Sequence, residues 1–196
     1  VLPVVPASDR QHRSAVWHPL SMTTSIERAT KPLPPVEQVR PGLWSIPVPL
    51  PIPLRYVFVS AFETDKGPFL VDAGWNTDEA FGSLARQMGE AGVALSDLNT
   101  ITLTHAHPDH YGLTGRLSQH CHARLVMHEI ERAFVRSRYV DSGNLLEEMD
   151  QWLRINGVPD AERSKLQYAS MEVLGLVTVA SPNCPVRGGE HLQVGE

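Results

Sequence analysis

Three histidines and one aspartate lie within six residues of this chain, in the segment Thr-His-Ala-His-Pro-Asp-His that begins at residue 104. Imidazole nitrogens and carboxylate oxygens are good ligands for zinc, iron and manganese. His105 and His107 are two residues apart, so at the end of a strand they can project to one side and bind one ion. Pro108 favours a turn that presents Asp109 and His110 as a second pair. The pattern predicts a site for two ions about 3.5–4 Å apart, and solvated surface histidines are the less favoured alternative.

Strands and helices are predicted on both sides of this segment. Apolar and alternating runs predict strands at residues 43–46, 55–62, 68–72 and 125–127, and the alternation of residues 101–103 leads directly into the histidines. Asn76, with Glu79 three residues later, predicts the start of a helix, and Gly92 predicts its end. A second, short helix is predicted over residues 112–119. The prolines of residues 47–53 remove alternate backbone donors, so this stretch is not expected to form a central strand.

Residues 134–171 are predicted to form a helical insert. Its first helix carries an apolar stripe that is expected to face the core, made of Leu145, Leu146, Met149, Trp152 and Leu153. Gly157 and Pro159 interrupt this helix before a second one begins. Such a stripe is most often buried in the core.

Composition indicates an ordinary globular domain that follows a leader of different composition. Residues 1–41 are rich in proline without periodicity and are predicted to be a disordered leader before a domain over residues 42–196. The chain has 196 residues, 42% hydrophobic and 20% charged, and a net charge of −5. This acidity gives no general attraction to nucleic acid. With no membrane-spanning run and two cysteines, Cys121 and Cys184, the chain is expected to be cytoplasmic and to bind no membrane.

These motifs carry a family resemblance. Residues 104–112 match the pattern Thr-His-x-His-x-Asp-His-x-Gly, which is the signature of the metallo-β-lactamase superfamily. Residues 69–74, Phe-Leu-Val-Asp-Ala-Gly, are similar to the strand of that superfamily that ends in Val-Asp-x-Gly. The resemblance runs from about residue 42 to the end of the chain. It implies the α/β class and an αββα sandwich, present here as its first half with the helical insert.

The resemblance also implies the roles of individual residues. His105 and His107 would bind the first metal, and Asp109 and His110 the second. Asp72 would support the metal loop from behind the ligands. The cofactor would be zinc, as two ions in the complete protein, with iron or manganese as alternatives. Asp109 would also be catalytic, because it could orient the hydroxide that attacks the substrate.

One departure from the family pattern concerns the remaining ligands. The superfamily completes its metal sites with a histidine from a Thr-Pro-Gly-His-like motif, a bridging aspartate and a last histidine. After His110 the chain has only four histidines, and none lies in such a motif: His120, His122, His128 and His191. The chain is therefore expected to be a truncated N-terminal part of its family's fold.

The expected function is hydrolysis. By resemblance, hydroxide from a metal-bound water would attack an ester, a thioester as in glyoxalase II, or a related bond of a small-molecule substrate. Three alternatives remain: a catalytically inactive metal-binding fragment, a phosphodiesterase or nuclease of the same superfamily, and a nonenzymatic domain that binds a partner. The helical insert would then cover the active site and influence which substrate is accepted. The oligomeric state is not predicted.

Overall fold

A single mixed sheet organises the part of the chain that this computed structural model describes, residues 32–193. Its strands are β1 (Glu37–Arg40), β2 (Leu43–Pro49), β3 (Tyr56–Phe62), β4 (Phe69–Val71), β5 (Thr100–Thr102), β6 (Arg124–His128) and β7 (Cys184–Val186). The strands lie in the sheet in the same order as in the chain. Strands β1 to β4 pair antiparallel, and β4 to β7 pair parallel.

The helices of the described residues lie in the connections between the parallel strands, because a parallel pairing needs a crossover that returns the chain to the same edge. The crossovers carry α1 (Asp78–Glu90), then α2 (Pro108–Tyr111) and α3 (Thr114–Cys121), then α4 (Glu129–Val135), α5 (Leu145–Ile155) and α6 (Asp160–Leu174). Two short 3₁₀ turns (Leu95–Asp97 and Ser142–Asn144) and one π-helical turn (Arg136–Val140) lie in the same connections. This alternation confirms the predicted α/β class.

The hydrophobic core lies between one face of the sheet and the first helices. Every second residue of the central strands faces this core and is almost fully buried, including Ile46, Val59, Leu70, Ile101 and Leu125. Leu84 and Met88 of α1 and Leu113 and Leu117 beside α3 fill the opposite side. Apolar side chains recur every second residue in the strands and about every 3.6 residues in the helices, so each element buries one apolar side.

Strand β2 corrects the prediction for the proline-rich stretch. It continues through Pro47 and Pro49, which pair with Phe58 and Tyr56 of β3. Strand β1 pairs with residues 43–45 of β2, so within residues 32–193 the far half of β2 is an edge strand. Proline is tolerated at such an edge, because the missing donor would face away from the ladder.

The start of α1 also differs from its prediction. The cap is Thr77, whose side chain accepts a hydrogen bond from the backbone N–H of Ala80. Asn76 serves another contact: its Nδ2 donates to Thr178 Oγ1 at 2.6 Å and its backbone N–H donates to Leu176 O at 3.1 Å. Asn76, the predicted cap, therefore connects the segment before α1 to the chain after α6.

The apolar stripe of α5 is only partly buried, contrary to the prediction. Leu153 is buried, but Leu146 is exposed and Trp152 has 63% of its surface accessible. Helix α5 packs mainly on α6.

Two further predictions concern the chain outside the sheet's centre. The predicted leader ends inside the sheet, since β1 lies within its last residues, while residues 1–31 lie outside the described part. Within residues 32–193, none of the helices is both long and apolar enough to cross a bilayer.

Candidate metal centre

The predicted site residues lie at the carboxyl ends of neighbouring parallel strands. Asp72 directly follows β4, and the segment from Thr104 to His110 follows β5. Strands β4 and β5 pair in register from Phe69 opposite Thr100, so their ends meet at the same edge of the sheet. This edge is where open α/β sheets place their ligand sites.

The turn at Pro108 gives the loop its shape. Pro108 begins the short helix α2, for which its missing N–H is no loss. The carbonyl of His107 accepts hydrogen bonds from the N–H groups of His110 and Tyr111. The imidazole of His105 then lies between two others, with ring centroids 4.7 Å from His107 and 4.2 Å from His110. The structure thus brings the three predicted histidines together.

Asp72 holds this loop from beneath. It is 6% exposed, and its Oδ1 accepts the backbone N–H of Thr104 at 2.9 Å. The hydroxyl of Thr104 donates to the same carboxylate, and Nδ1 of His110 lies 2.9 Å from Oδ2. Asp72 reaches these groups from a left-handed backbone conformation, φ +66°, which aspartate tolerates better than most residues.

The carboxylate and the imidazole stabilise each other's charged forms. Burial opposes ionisation of Asp72, but hydrogen bonds from His110 and Thr104 hold its pKa below the ordinary 3.8. The hydrogen bond to Asp72, against the opposing effect of burial, raises the pKa of His110 above 6.5. Burial and the neighbouring imidazoles of His110 and His107 lower the pKa of His105. The loop therefore contains one imidazole that favours the charged form and one that favours the neutral form.

The donor set fits a divalent metal in its chemistry. Because Asp72 binds Nδ1 of His110, the other ring nitrogen, Nε2, points toward Asp109, whose Oδ2 is 3.3 Å away. A carboxylate behind a metal-binding imidazole fixes its tautomer in many metal sites. Within residues 32–193, however, no three histidine, cysteine, aspartate or glutamate side chains are already arranged to hold an ion.

The connection from β6 to β7 supplies contacts that the sequence did not predict. A Glu131 carboxylate oxygen accepts the backbone N–H of Ala106 at 2.7 Å, and the hydroxyl of Tyr139 donates to the carbonyl of Ala106 at 2.9 Å. The ring of Phe134 lies edge-on to His107, with centroids 6.4 Å apart. Glu131 and Tyr139 are 25 and 33 residues from Ala106. No local pattern in the sequence marks them.

Comparison with known proteins identifies the family. A family model described as the metallo-beta-lactamase superfamily matches residues 52–178, which is more than half of the chain. The chain belongs to the metallo-β-lactamase superfamily. The resemblance predicted from residues 69–74 and 104–112 is thereby confirmed.

Individual relatives agree with this assignment. A metallo-beta-lactamase family protein of Thermus thermophilus is 31% identical, with a TM-score of 0.68 over 80% of this chain and 50% of that one. A beta-lactamase domain protein of Burkholderia ambifaria shares the fold at 22% identity and a TM-score of 0.61, over 85% of this chain and 49% of that one. A probable metallo-hydrolase of Bacillus subtilis (strain 168), YqjP, is 42% identical over 69 residues, 35% of this chain and 21% of its own length. The chain spans about half the length of these solved structures.

The glycine that closes the superfamily motif here, Gly112, has a steric reason. A Cβ added at this position would lie 2.5 Å from the carbonyl oxygen of Pro108, 2.6 Å from that of Leu176 and 2.9 Å from the backbone nitrogen of Asn76. Three backbone segments converge on this residue. Glycine allows the loop after β4, helix α2 and the chain after α6 to touch.

Three further histidines of the described residues, His120, His122 and His128, lie outside the loop. His128 caps α4, with Nδ1 accepting the backbone N–H of Ile130 at 3.2 Å. His120 contacts the ring of Phe81, and His122 ends α3 in a left-handed conformation; both are exposed.

Proposed function

We propose that the protein is a metal-dependent hydrolase that cleaves an ester, thioester or related bond of a small molecule. The observation that supports this most directly is the group of three imidazoles and Asp109 at the end of β5, with His110 oriented by the buried Asp72. Superfamily membership supports hydrolysis in general. The bond and the substrate are proposals.

Four residues would hold the metal: His105, His107, Asp109 and His110. Zinc fits these nitrogen and oxygen donors, and we propose two zinc ions, with iron or manganese as the alternatives. Such an ion makes water acidic enough to supply hydroxide near neutral pH and polarises the bond to be cleaved. The carboxylate of Asp109 would accept a hydrogen bond from the attacking water and so orient it. Asp72 would keep Nδ1 of His110 protonated, which leaves Nε2 free as a ligand.

The surroundings of the loop favour a substrate with an apolar part. The ring of Phe134 contacts His107 and is 38% exposed, so it offers an apolar surface next to the proposed metal. An acyl group could bury itself against such a ring. The net charge of −5 supports a small molecule rather than a nucleic acid. The cytoplasmic location stays a prediction.

One observation favours a second candidate function. Since no three ligating side chains of residues 32–193 are prearranged for a metal, this stretch of chain could bind an ion weakly and not turn over a substrate. Metal binding without hydrolysis distinguishes this candidate from the first.

The test measures zinc content and hydrolysis in the same preparation. The purified chain is loaded with zinc and assayed with p-nitrophenyl acetate, an acyl thioester of glutathione and bis(p-nitrophenyl) phosphate. We expect ester or thioester cleavage in the native protein and none in His107→Ala, with unchanged circular dichroism. His120→Ala is the control, because this exposed histidine lies at the end of α3. Zinc binding without cleavage would favour the second candidate, cleavage of the phosphodiester alone would indicate a nuclease, and full activity in His107→Ala would refute the proposed ligands.

A further inference from the structure

Ala106, the residue between the first two histidines of the loop, has both of its backbone polar groups bound by side chains. It is 1% exposed, and neither group takes part in a strand or helix ladder. Glu131 accepts its N–H at 2.7 Å, and Tyr139 donates to its carbonyl at 2.9 Å. Buried backbone groups need a partner, and here both partners come from the one connection between β6 and β7.

Both partners lie on a single continuous segment, which we call the brace: helix α4 (Glu129–Val135) and the π-helical turn (Arg136–Val140). In a regular α-helix, residues 131 and 139 would point about 80° apart, because each residue advances about 100°. The wider π-helical turn advances less per residue and brings the two side chains toward one face. The π-helical turn therefore allows one segment to bind both the N–H and the carbonyl of Ala106.

Tyr139 is itself held in place. Its ring stacks on that of Tyr111, with centroids 6.0 Å apart and planes 16° apart. Tyr111 is fully buried, and its hydroxyl donates to the carbonyl of Ala180 at 2.8 Å and accepts the N–H of Ala180 at 2.7 Å. The hydroxyl of Tyr139 is thus aimed at the loop by a rigid support.

The orientation of the peptide groups of Ala106 affects where the neighbouring side chains point. His105 and His107 share the two peptide groups that Glu131 and Tyr139 bind, so a rotation of either peptide plane turns an imidazole. Asp72 fixes both ends of the loop, one through Thr104 and the other through His110. Without the brace, the loop would be anchored at its ends and free to rotate at its centre.

We propose that Glu131 and Tyr139 are positioning residues that set the directions of the His105 and His107 side chains through the peptide groups of Ala106. This rests on the proposed function, in which both histidines bind metal. Neither positioning residue is among the proposed metal ligands. Their effect is on how well two ligands are oriented before an ion arrives, which determines metal affinity and ligand geometry.

The experiment compares four variants in the full chain: Glu131→Ala, Glu131→Gln, Tyr139→Phe and, as control, Glu147→Ala. Glu147 is an exposed residue of α5 in the same connection between β6 and β7. Zinc affinity is measured by competition with a chromogenic chelator, and ligand geometry by the visible absorption of bound cobalt. Metal-free samples are compared by urea unfolding and by the imidazole resonances of His105 and His107.

We expect Glu131→Ala to weaken zinc binding about 10–100-fold and to change the cobalt spectrum, as is typical for residues behind metal ligands. Glu131→Gln keeps an acceptor oxygen for the Ala106 N–H, so it should restore most of the affinity. Tyr139→Phe should give an intermediate loss, and Glu147→Ala none. In the metal-free protein, only the Glu131 and Tyr139 variants should move the imidazole resonances.

One result would contradict the inference about the brace, and a different result would contradict the proposed function. If Glu131→Ala lowers the urea midpoint but leaves zinc affinity, the cobalt spectrum and the imidazole resonances unchanged, the brace is merely structural and the inference is wrong. If the native protein binds no zinc, the proposed function fails. The imidazole resonances would then still decide whether the brace positions the two histidines.

Discussion

Asp72→Asn should separate the stability of the metal loop from its ability to bind metal. Asparagine has nearly the same shape and tolerates the left-handed conformation at this position, φ +66°. Its carbonyl oxygen can still accept the N–H and hydroxyl of Thr104. Its amide group, however, is a donor and would face Nδ1 of His110. His110 must then turn Nδ1 into an acceptor and carry its proton on Nε2, the nitrogen needed for the metal.

The size of both effects follows from the contacts. The charged hydrogen bond from His110 to Asp72 at 2.9 Å is replaced by a neutral one, and because charged bonds contribute about 1.5–3 kcal/mol and neutral ones about 0.5–1.5 kcal/mol, the loss is about 1 kcal/mol. The free energy of unfolding of the metal-free protein should fall by that amount, with the fold retained. Zinc affinity should fall about 10–100-fold, since removing the carboxylate behind a metal-binding histidine typically has this effect.

The assays are urea denaturation for stability and chelator competition for zinc. Asp97→Asn is the control, because Asp97 is exposed in a 3₁₀ turn and its carboxylate accepts only from the adjacent Ser96 in the described structure. It should change neither quantity. Unchanged zinc affinity in Asp72→Asn, together with the expected loss of stability, would show that the carboxylate does not set the tautomer of His110. The reasoning about the metal site would then be wrong.

Two further outcomes test the packing and the electrostatics. Gly112→Ala places a methyl group 2.5 Å from the carbonyl oxygen of Pro108, so the free energy of unfolding should fall by about 3 kcal/mol. In the control Gly82→Ala, at a helical site with nothing within 4 Å, the free energy of unfolding should rise by about 0.5–1 kcal/mol. Equal urea midpoints for the two variants would contradict this. Burial raises the pKa of Tyr139 to about 12, so its contribution to stability is complete below the unfolded value of about 10 and is lost as pH rises through 12. Absorbance at the tyrosinate band should show a late transition that Tyr139→Phe reduces by one tyrosine, while burial also raises the pKa of Tyr111; titration of every tyrosine near pH 10 would contradict this.

The parts that sequence reasoning predicted well are local. The strands on either side of residues 105–110 and the helix that ends near Gly92 depend on spacing within one element. Spacing is a direct consequence of backbone geometry, so the sequence alone is sufficient for it. The grouping of three imidazoles at one sheet edge follows from that spacing and from the end of β5.

The parts that were missed depend on partners far away in the chain. Pro47 and Pro49 lie in a strand because the neighbouring β1 is too short to pair with them, which no residue of β2 reveals. The stripe of α5 has a helical period, but a period does not show how much of it a neighbour covers. The bonds from Glu131 and Tyr139 to Ala106 likewise join residues whose own neighbours give no sign of the contact.

The order of the strands in the sheet has a consequence for how the chain reaches this structure. Every strand pairs with its immediate predecessor, so a chain emerging from the ribosome can add each strand to an edge that already exists. Such neighbour-to-neighbour pairing keeps contact order low for a sheet and shortens the search for the native arrangement. Asp72 and the histidine loop are complete once β5 has been added, whereas the brace is synthesised later. Assembly from the amino end would thus form the loop first and tighten its centre afterwards.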